Sequence, residues 1–198
     1  VLHSQTTMPS YLFLLFCSFF LLSSARYNYA AEACGANALS STPGSKHVSS
    51  VLEENPDRYM LVECNRAPIW IIVQLCQAIR VEGVKMANYE LFSSSFKDFS
   101  IYGSFAAPPN SEWINLGNFT GEENLNDQPF NLTKFMWARF LKVVITSHWG
   151  SETYCSLSSL RAYGSSLVED MMDDKSEWNS AVTNEVPTSD TPSPPPPP

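Results

Sequence analysis

The run Ile69–Leu75, IWIIVQL, constrains the fold more than any other segment of the chain. Its β-branched side chains lose rotamer freedom in a helix and pack well on a pleated surface, so it predicts a central strand buried on both faces. Shorter extended segments accompany it. Val81–Leu91 continues in extended conformation, Trp113–Phe119 and Tyr154–Gly164 read as strands, and Phe140–Ser147, FLKVVITS, alternates well enough to bury one face. Turn chemistry separates them, with Asn55-Pro56 among the acids of Glu53–Asp57 and Pro108-Pro109-Asn110 closing a hairpin. The segment Ala87–Ser104, ANYELFSSSFKDFSIYGS, reads as a strand, a serine-rich hairpin loop and a second strand. Strands spaced at roughly 8–12 residues, with no convincing amphipathic helix, predict an all-β sandwich.

At 198 residues the chain has room for one domain of about 140 residues with flanks. A net charge of -8 argues against a nucleic-acid partner, because phosphates repel such a surface. Residues 1–25 hold the positions before Met8 and the apolar run Tyr11–Leu22, followed by Ser23-Ser24-Ala25. Small residues after a short apolar run predict a cleaved secretory signal, although no Lys or Arg lies between Met8 and Tyr11. The run is shorter than the roughly 20 residues a membrane span needs, and an uncleaved anchor extended to Ala25 is the alternative. Residues 167–198, with Glu169-Asp170, Asp173-Asp174 and the proline-rich Pro187–Pro198, predict a disordered acidic and proline-rich tail.

Cysteine usage agrees with export. Once Cys17 leaves with the signal, Cys34, Cys64, Cys76 and Cys155 remain, widely spaced and without a CxxC. That pattern favours disulfides over zinc, and spacing alone leaves all three pairings of four cysteines open. Asn118-Phe119-Thr120 and Asn131-Leu132-Thr133 are N-glycosylation sequons flanking the polar loop Gly121–Gln128, and at least one is expected to be used.

Together with Ser147–Tyr163, SHWGSETYCSLSSLRAY, the Ala87–Ser104 segment resembles the SUN domain. It is more similar still to the SUN-like branch that includes the ossification-factor proteins of the endoplasmic reticulum. The resemblance rests on Asn88-Tyr89-Glu90, Ser94, Lys97-Asp98-Phe99, Gly103, His148-Trp149-Gly150, Cys155 and Gly164, landmarks spread over about Asn28–Ser166. It implies a jelly-roll β-sandwich of the galactose-binding-domain type over residues 26–166. It also implies a disulfide between Cys64 and Cys155, which leaves Cys34 with Cys76, and it makes His148-Trp149-Gly150 a strand-to-loop corner.

No catalytic constellation is legible. Ser147 and His148 are adjacent in sequence, which says nothing of a triad in space, and no GxSxG, HExxH, Walker or dinucleotide motif is present. A non-enzymatic protein without a cofactor is expected. The resemblance places a loop that wraps a monovalent cation at Val51–Cys64, but Glu53, Glu54 and Asp57 read better as a solvated turn. In SUN domains a groove grips the C-terminal tail of a KASH partner, and Tyr154 is the residue expected to line its equivalent. This chain lacks the lid between Ser45 and Asp57 and the upstream trimerising coil, so nuclear-envelope bridging is the weaker reading. The leading expectation is a luminal domain of the endoplasmic reticulum that binds protein partners and serves the maturation or protection of secretory and membrane proteins, with membrane association through a downstream segment. The alternative is a secreted carbohydrate- or ligand-binding sandwich stacking sugars on Trp113 or Phe96, a reading that rests on fold analogy alone.

Overall fold

The computed structural model describes residues 26–108, 110 and 112–172, so the signal, Cys17 and the proline-rich run lie outside the described residues. Among the described residues ten strands form in chain order: β1 (Asn37–Ser41), β2 (Met60–Glu63), β3 (Ile69–Ala87), β4 (Ser95–Phe96), β5 (Asp98–Ser104), β6 (Ile114–Thr120), β7 (Gln128–Ile145), β8 (His148–Trp149), β9 (Tyr154–Leu157) and β10 (Ser159–Ser166). The apolar run opens β3, where Ile69, Ile71, Ile72, Val73 and Leu75 are buried as a central strand requires. One sheet runs β1-β3-β7-β5-β6, with β10 also on β3. Strand β3 serves two partners on one edge: Ile71–Gln74 pair with β1, and Ile79–Ala87 pair with β10. Register shifts between Gln74 and Ile79 and between Val81 and Gly83 mark where the long β3–β7 ladder is interrupted and bent.

The opposing layer is built from short pairs. Antiparallel β2-β9 and β4-β8 are joined through a parallel bridge between Ser94 and Cys155. Apolar side chains of both layers meet in one core, which includes Val51, Met60 and Leu157 from one side and Ile71, Ile101 and Val143 from the other. This is the all-β sandwich the sequence predicts.

Two expectations change. The segment Ala87–Ser104 is not a hairpin, because β3 pairs with β1, β7 and β10 whereas β5 lies between β7 and β6. The serine stretch instead carries the chain over to the other layer, where the Ser94 N–H donates to the Tyr154 carbonyl at 2.8 Å and the Ser156 N–H donates to the Ser94 carbonyl at 3.1 Å. Nor does the fold end at residue 166. Residues 167–172, expected to belong to a disordered tail, are helical. Ser166 and Glu169 form a reciprocal capping box, with the Ser166 N–H donating to Glu169 Oε2 at 2.6 Å and the Glu169 N–H donating to Ser166 Oγ at 3.3 Å. Glu169 also accepts the Tyr29 hydroxyl at 3.0 Å, and Asp170 lies 3.5 Å from Arg80, so this turn is docked on the sandwich. Among the described residues no helix is long and apolar enough to cross a membrane.

At the β10 register shift, a Cβ on Gly164 would stand 2.1 Å from the Arg80 carbonyl oxygen on β3. A backbone atom cannot swing aside as a side chain can. Gly164→Ala is therefore expected to destabilise the domain by about 1–3 kcal/mol, read as a shifted denaturant midpoint at unchanged slope.

Candidate docking surface

The loop of residues 53–59 leaves a 3-10 turn, Val48–Leu52, whose Val51 and Leu52 are buried, and enters β2. Its neck is closed by a reciprocal backbone pair, Lys46 N–H to Leu61 O at 2.8 Å and Leu61 N–H to Lys46 O at 3.1 Å. Within it the Asp57 N–H donates to Asn55 Oδ1 at 3.0 Å, and Arg58 pairs with Glu53 at 3.0 Å. Glu53 thus has a cation from its own loop, which fits the solvated-turn reading of these acids. The neck and the loop flank an open groove of about 570 Å³ lined by Lys46, His47, Ser50, Asp57, Arg58, Tyr59 and Leu61.

A second element adjoins this groove. Between β3 and β4 the chain turns at Asn88–Ser94, and Asn88 is buried with its Oδ1 accepting the Ser156 hydroxyl at 2.6 Å and the Glu90 N–H at 3.2 Å. The Phe92 N–H donates to Glu90 Oε1 at 3.0 Å, the Ser93 and Ser156 hydroxyls are hydrogen-bonded, and Ser94 Oγ accepts the Glu152 N–H at 3.1 Å. These bonds pin the turn so that Leu91 and Phe92 stand 71% and 85% exposed at its tip. Glu90 faces Tyr59, and its carboxylate as hydrogen-bond partner, helped by burial and by its charge, raises that phenol's pKa. Tyr59 therefore links groove to tip. Tyr154, 41% exposed at the start of β9, extends the surface through its backbone bond to Ser94, although its side chain does not line the Lys46–Leu61 groove.

The sequence landmarks hold this surface in place. Lys97 Nζ lies 4.2 Å from the centre of the Trp149 ring, whose Nε1–H donates to the Gly121 carbonyl at 2.8 Å. The Asp98 carboxylate accepts the Ser147 hydroxyl at 2.6 Å and the Thr120 hydroxyl at 2.8 Å, and these two bonds, Ser147 first, lower its pKa. Phe99 is the hub of an aromatic cluster, with ring centres 4.8 Å from Phe130 and 5.6 Å from both Phe96 and Phe119. Gly150 takes a φ of 90°, the left-handed turn that the His148-Trp149-Gly150 corner needs and that glycine adopts without penalty. Phe96, offered above as a sugar-stacking aromatic, is only 2% exposed, so that role is withdrawn; Trp113 is half-buried.

Behind the loop lies a polar cluster. Tyr89 donates its hydroxyl to Asp127 Oδ1 at 2.5 Å, while Arg161 reaches Asp127 Oδ2 at 3.0 Å and Lys85 reaches it at 3.5 Å. Burial and then the adjacent carboxylate push the Tyr89 pKa up to about 12. A pKa raised in the folded state favours the protonated form, so its stabilising contribution is full below the ordinary phenol value near 10, declines above it and is gone past about 12. Spectrophotometric titration of the native protein is expected to show one tyrosine ionising near pH 12, and Asp127→Asn should bring that step down toward 10.

Cys34 is joined to Cys76 and Cys64 to Cys155, with Cα–Cα distances of 5.7 and 5.1 Å, the pairing that the family resemblance implies. The second bond ties Cys64, just after β2, to β9 beside Tyr154. His148 sits next to it, its Nδ1 buried and without a hydrogen-bond partner among the described residues. Both sequon asparagines are exposed, Asn118 on β6 and Asn131 on β7. Tyr154, expected from the family resemblance to line a peptide groove, does not line this one, and the Leu91-Phe92 tip was not foreseen; two adjacent large apolar residues inside a polar turn were the available signal.

A model of the Sad1/UNC-like C-terminal family matches residues 41–166. The human SUN domain-containing ossification factor is 43% identical over 152 residues, covering 73% of this chain and 12% of that protein. SUN domain-containing protein 4 of Arabidopsis thaliana is 39% identical over 148 residues, 75% of this chain and 25% of that protein. The chain thus spans a quarter or less of these relatives. Among solved structures, the family 32 CBM from C. perfringens NanJ in complex with galactose superposes with a TM-score of 0.54 at 17% identity, covering 69% of this chain and 98% of the module. A chitosan-binding module from a Paenibacillus chitosanase/glucanase gives 0.56 at 21% identity over 70% of this chain and 99% of that one. At such identities the likeness is one of fold, a galactose-binding-type jelly roll.

Proposed function

The chain belongs to the Sad1/UNC-like C-terminal family of SUN domains, and on that premise we propose that it is a non-enzymatic protein-docking module of the endoplasmic reticulum lumen, serving the maturation or protection of secretory and membrane proteins. The observation that carries the docking role is the Leu91-Phe92 tip. Two large apolar side chains held in water by a turn that hydrogen bonds at Asn88, Glu90, Phe92, Ser93 and Ser94 pin in place are preorganised anchors, and a few well-placed anchors supply most of the energy of a protein interface. The adjoining groove, with Lys46, Arg58 and Asp57 around Tyr59, supplies a polar rim. Two disulfides and exposed sequon asparagines support an oxidising lumen as its compartment.

The test is capture from a luminal extract with the glycosylated, oxidised protein and with a Leu91→Ala/Phe92→Ala variant. The variant should keep its stability within about 0.5 kcal/mol, because both side chains are exposed. It should lose most of the partners that the unaltered protein captures. Retention of the same partners would reject the surface, a signal on a glycan array without protein partners would favour the secreted carbohydrate-binding reading, and selective capture of a KASH C-terminal peptide would favour the nuclear envelope.

A further inference from the structure

We propose that when the Cys64–Cys155 disulfide is reduced, its two sulfurs and His148 Nδ1 become a binding site for a zinc-type divalent cation. The ligand atoms of Cys64, Cys155 and His148 all lie within 4.8 Å of one another, and both cysteines are buried. In a zinc tetrahedron with Zn–S bonds of about 2.3 Å, two sulfurs stand about 3.8 Å apart, so opening the S–S bond asks for a small separation of two atoms already in place. Three elements fix the set. Cys64 follows β2, Cys155 lies within β9, and His148 begins β8, where it pairs with Phe96.

His148 supplies the sharper indication. Its Nδ1 is buried and, among the described residues, has no hydrogen-bond partner, a costly arrangement for an imidazole nitrogen in an apolar surrounding. A metal ion would satisfy it. Beside it is a cavity of about 10 Å³ bounded by His148, Cys155 and apolar side chains including Met60, Val62, Phe96 and Ile145. That is about one water molecule's worth of space, which fits the fourth position of a two-cysteine, one-histidine site.

The chemistry balances with a cellular thiol as reductant. Two R–SH molecules donate two electrons and two protons; the Cys64–Cys155 bond breaks to two thiols, and R–S–S–R forms. Binding of the cation then releases the two thiol protons, and His148 coordinates through the Nδ1 lone pair. Metal and disulfide are therefore mutually exclusive states of the β2-β9 pair that follows the loop of residues 53–59. A reduced chain in the lumen would hold the metal, and oxidation would expel it.

Cobalt serves as the probe. The full chain is reduced with a phosphine, desalted without oxygen and titrated with cobalt(II), and the oxidised protein is treated alongside. The expected result is one cobalt per chain with the intense visible bands of a tetrahedral site and a thiolate charge-transfer band, displaced by zinc and absent from the oxidised protein. His148→Asn should weaken cobalt binding at least about tenfold, since even the loss of a supporting outer ligand costs that much. A Cys34→Ser/Cys76→Ser chain should retain the spectrum. Equal affinity in His148→Asn, an octahedral spectrum, or binding that follows Cys34 and Cys76 would overturn the assignment, as would a reduced chain that unfolds and binds cobalt regardless of residue 148.

Discussion

Phe99→Ala is expected to cost the domain about 3–5 kcal/mol, the range for emptying a fully buried aromatic site. Phe99 is 2% exposed and touches three other aromatic rings, two of them edge-on at 86° and 89°. Those rings come from β4, β6 and β7, so a void at Phe99 lies where the crossover meets the large sheet and cannot be closed by moving one side chain. For a domain of this size the loss corresponds to a fall in Tm on the order of 10 °C. The comparison is Phe92→Ala, which removes the same side chain from an 85% exposed position and should leave Tm nearly unchanged. A small effect at Phe99 would mean that Lys97-Asp98-Phe99 is conspicuous for some reason other than packing.

The second large effect belongs to the covalent tie within the layer of short strand pairs. Cys64→Ser/Cys155→Ser opens a closure of 91 residues, for which chain entropy gives about 4–5 kcal/mol. The Cys34–Cys76 pair closes 42 residues, and its removal is expected to cost slightly less, about 4 kcal/mol. Position matters beyond loop length. Cys155 lies directly opposite Val62 in the β2-β9 pair, and that pair is only four residues long, so the bond reinforces a short ladder whose end sets Glu63 against Tyr154. Loss of the Cys64–Cys155 bond should therefore weaken partner capture as well as stability, whereas loss of Cys34–Cys76 should affect stability alone. Chemical denaturation alongside the capture assay separates the two.

Much of the scaffold was legible in the sequence because it follows from local chemistry. β-branched residues at Ile69–Leu75 dictated a buried central strand, and the turn residues around Pro108 closed the β5–β6 hairpin as expected. What stayed hidden depends on long-range partners. The serines of Ala87–Ser104 looked like a hairpin loop because their hydroxyls suit turns, yet Ser93 and Ser94 find their partners at Glu152, Tyr154 and Ser156, about sixty residues away. Strand β7 proved far longer than Phe140–Ser147 because the exposed run Thr133–Phe135 separates the short alternation of Gln128–Leu132 from the buried second half. The helical turn at residues 167–172 was masked by its acidic composition; its start depends on the Ser166–Glu169 box and on Tyr29 and Arg80, which no local count of charges reveals. The Leu91-Phe92 tip came into view only with the turn's hydrogen bonds, and Tyr154, expected from family resemblance, does not line the groove beside it.

Site-specific photo-crosslinking tests the docking claim most directly. A photoreactive residue placed at Phe92 is compared in living cells with one at Phe135, which is also large, apolar and 65% exposed but lies on β7 of the other sheet. The account predicts crosslinks to secretory and membrane proteins of the endoplasmic reticulum from position 92 and few from position 135. Equal crosslinking from both positions, or adducts at position 92 confined to proteins outside the secretory pathway, would contradict it.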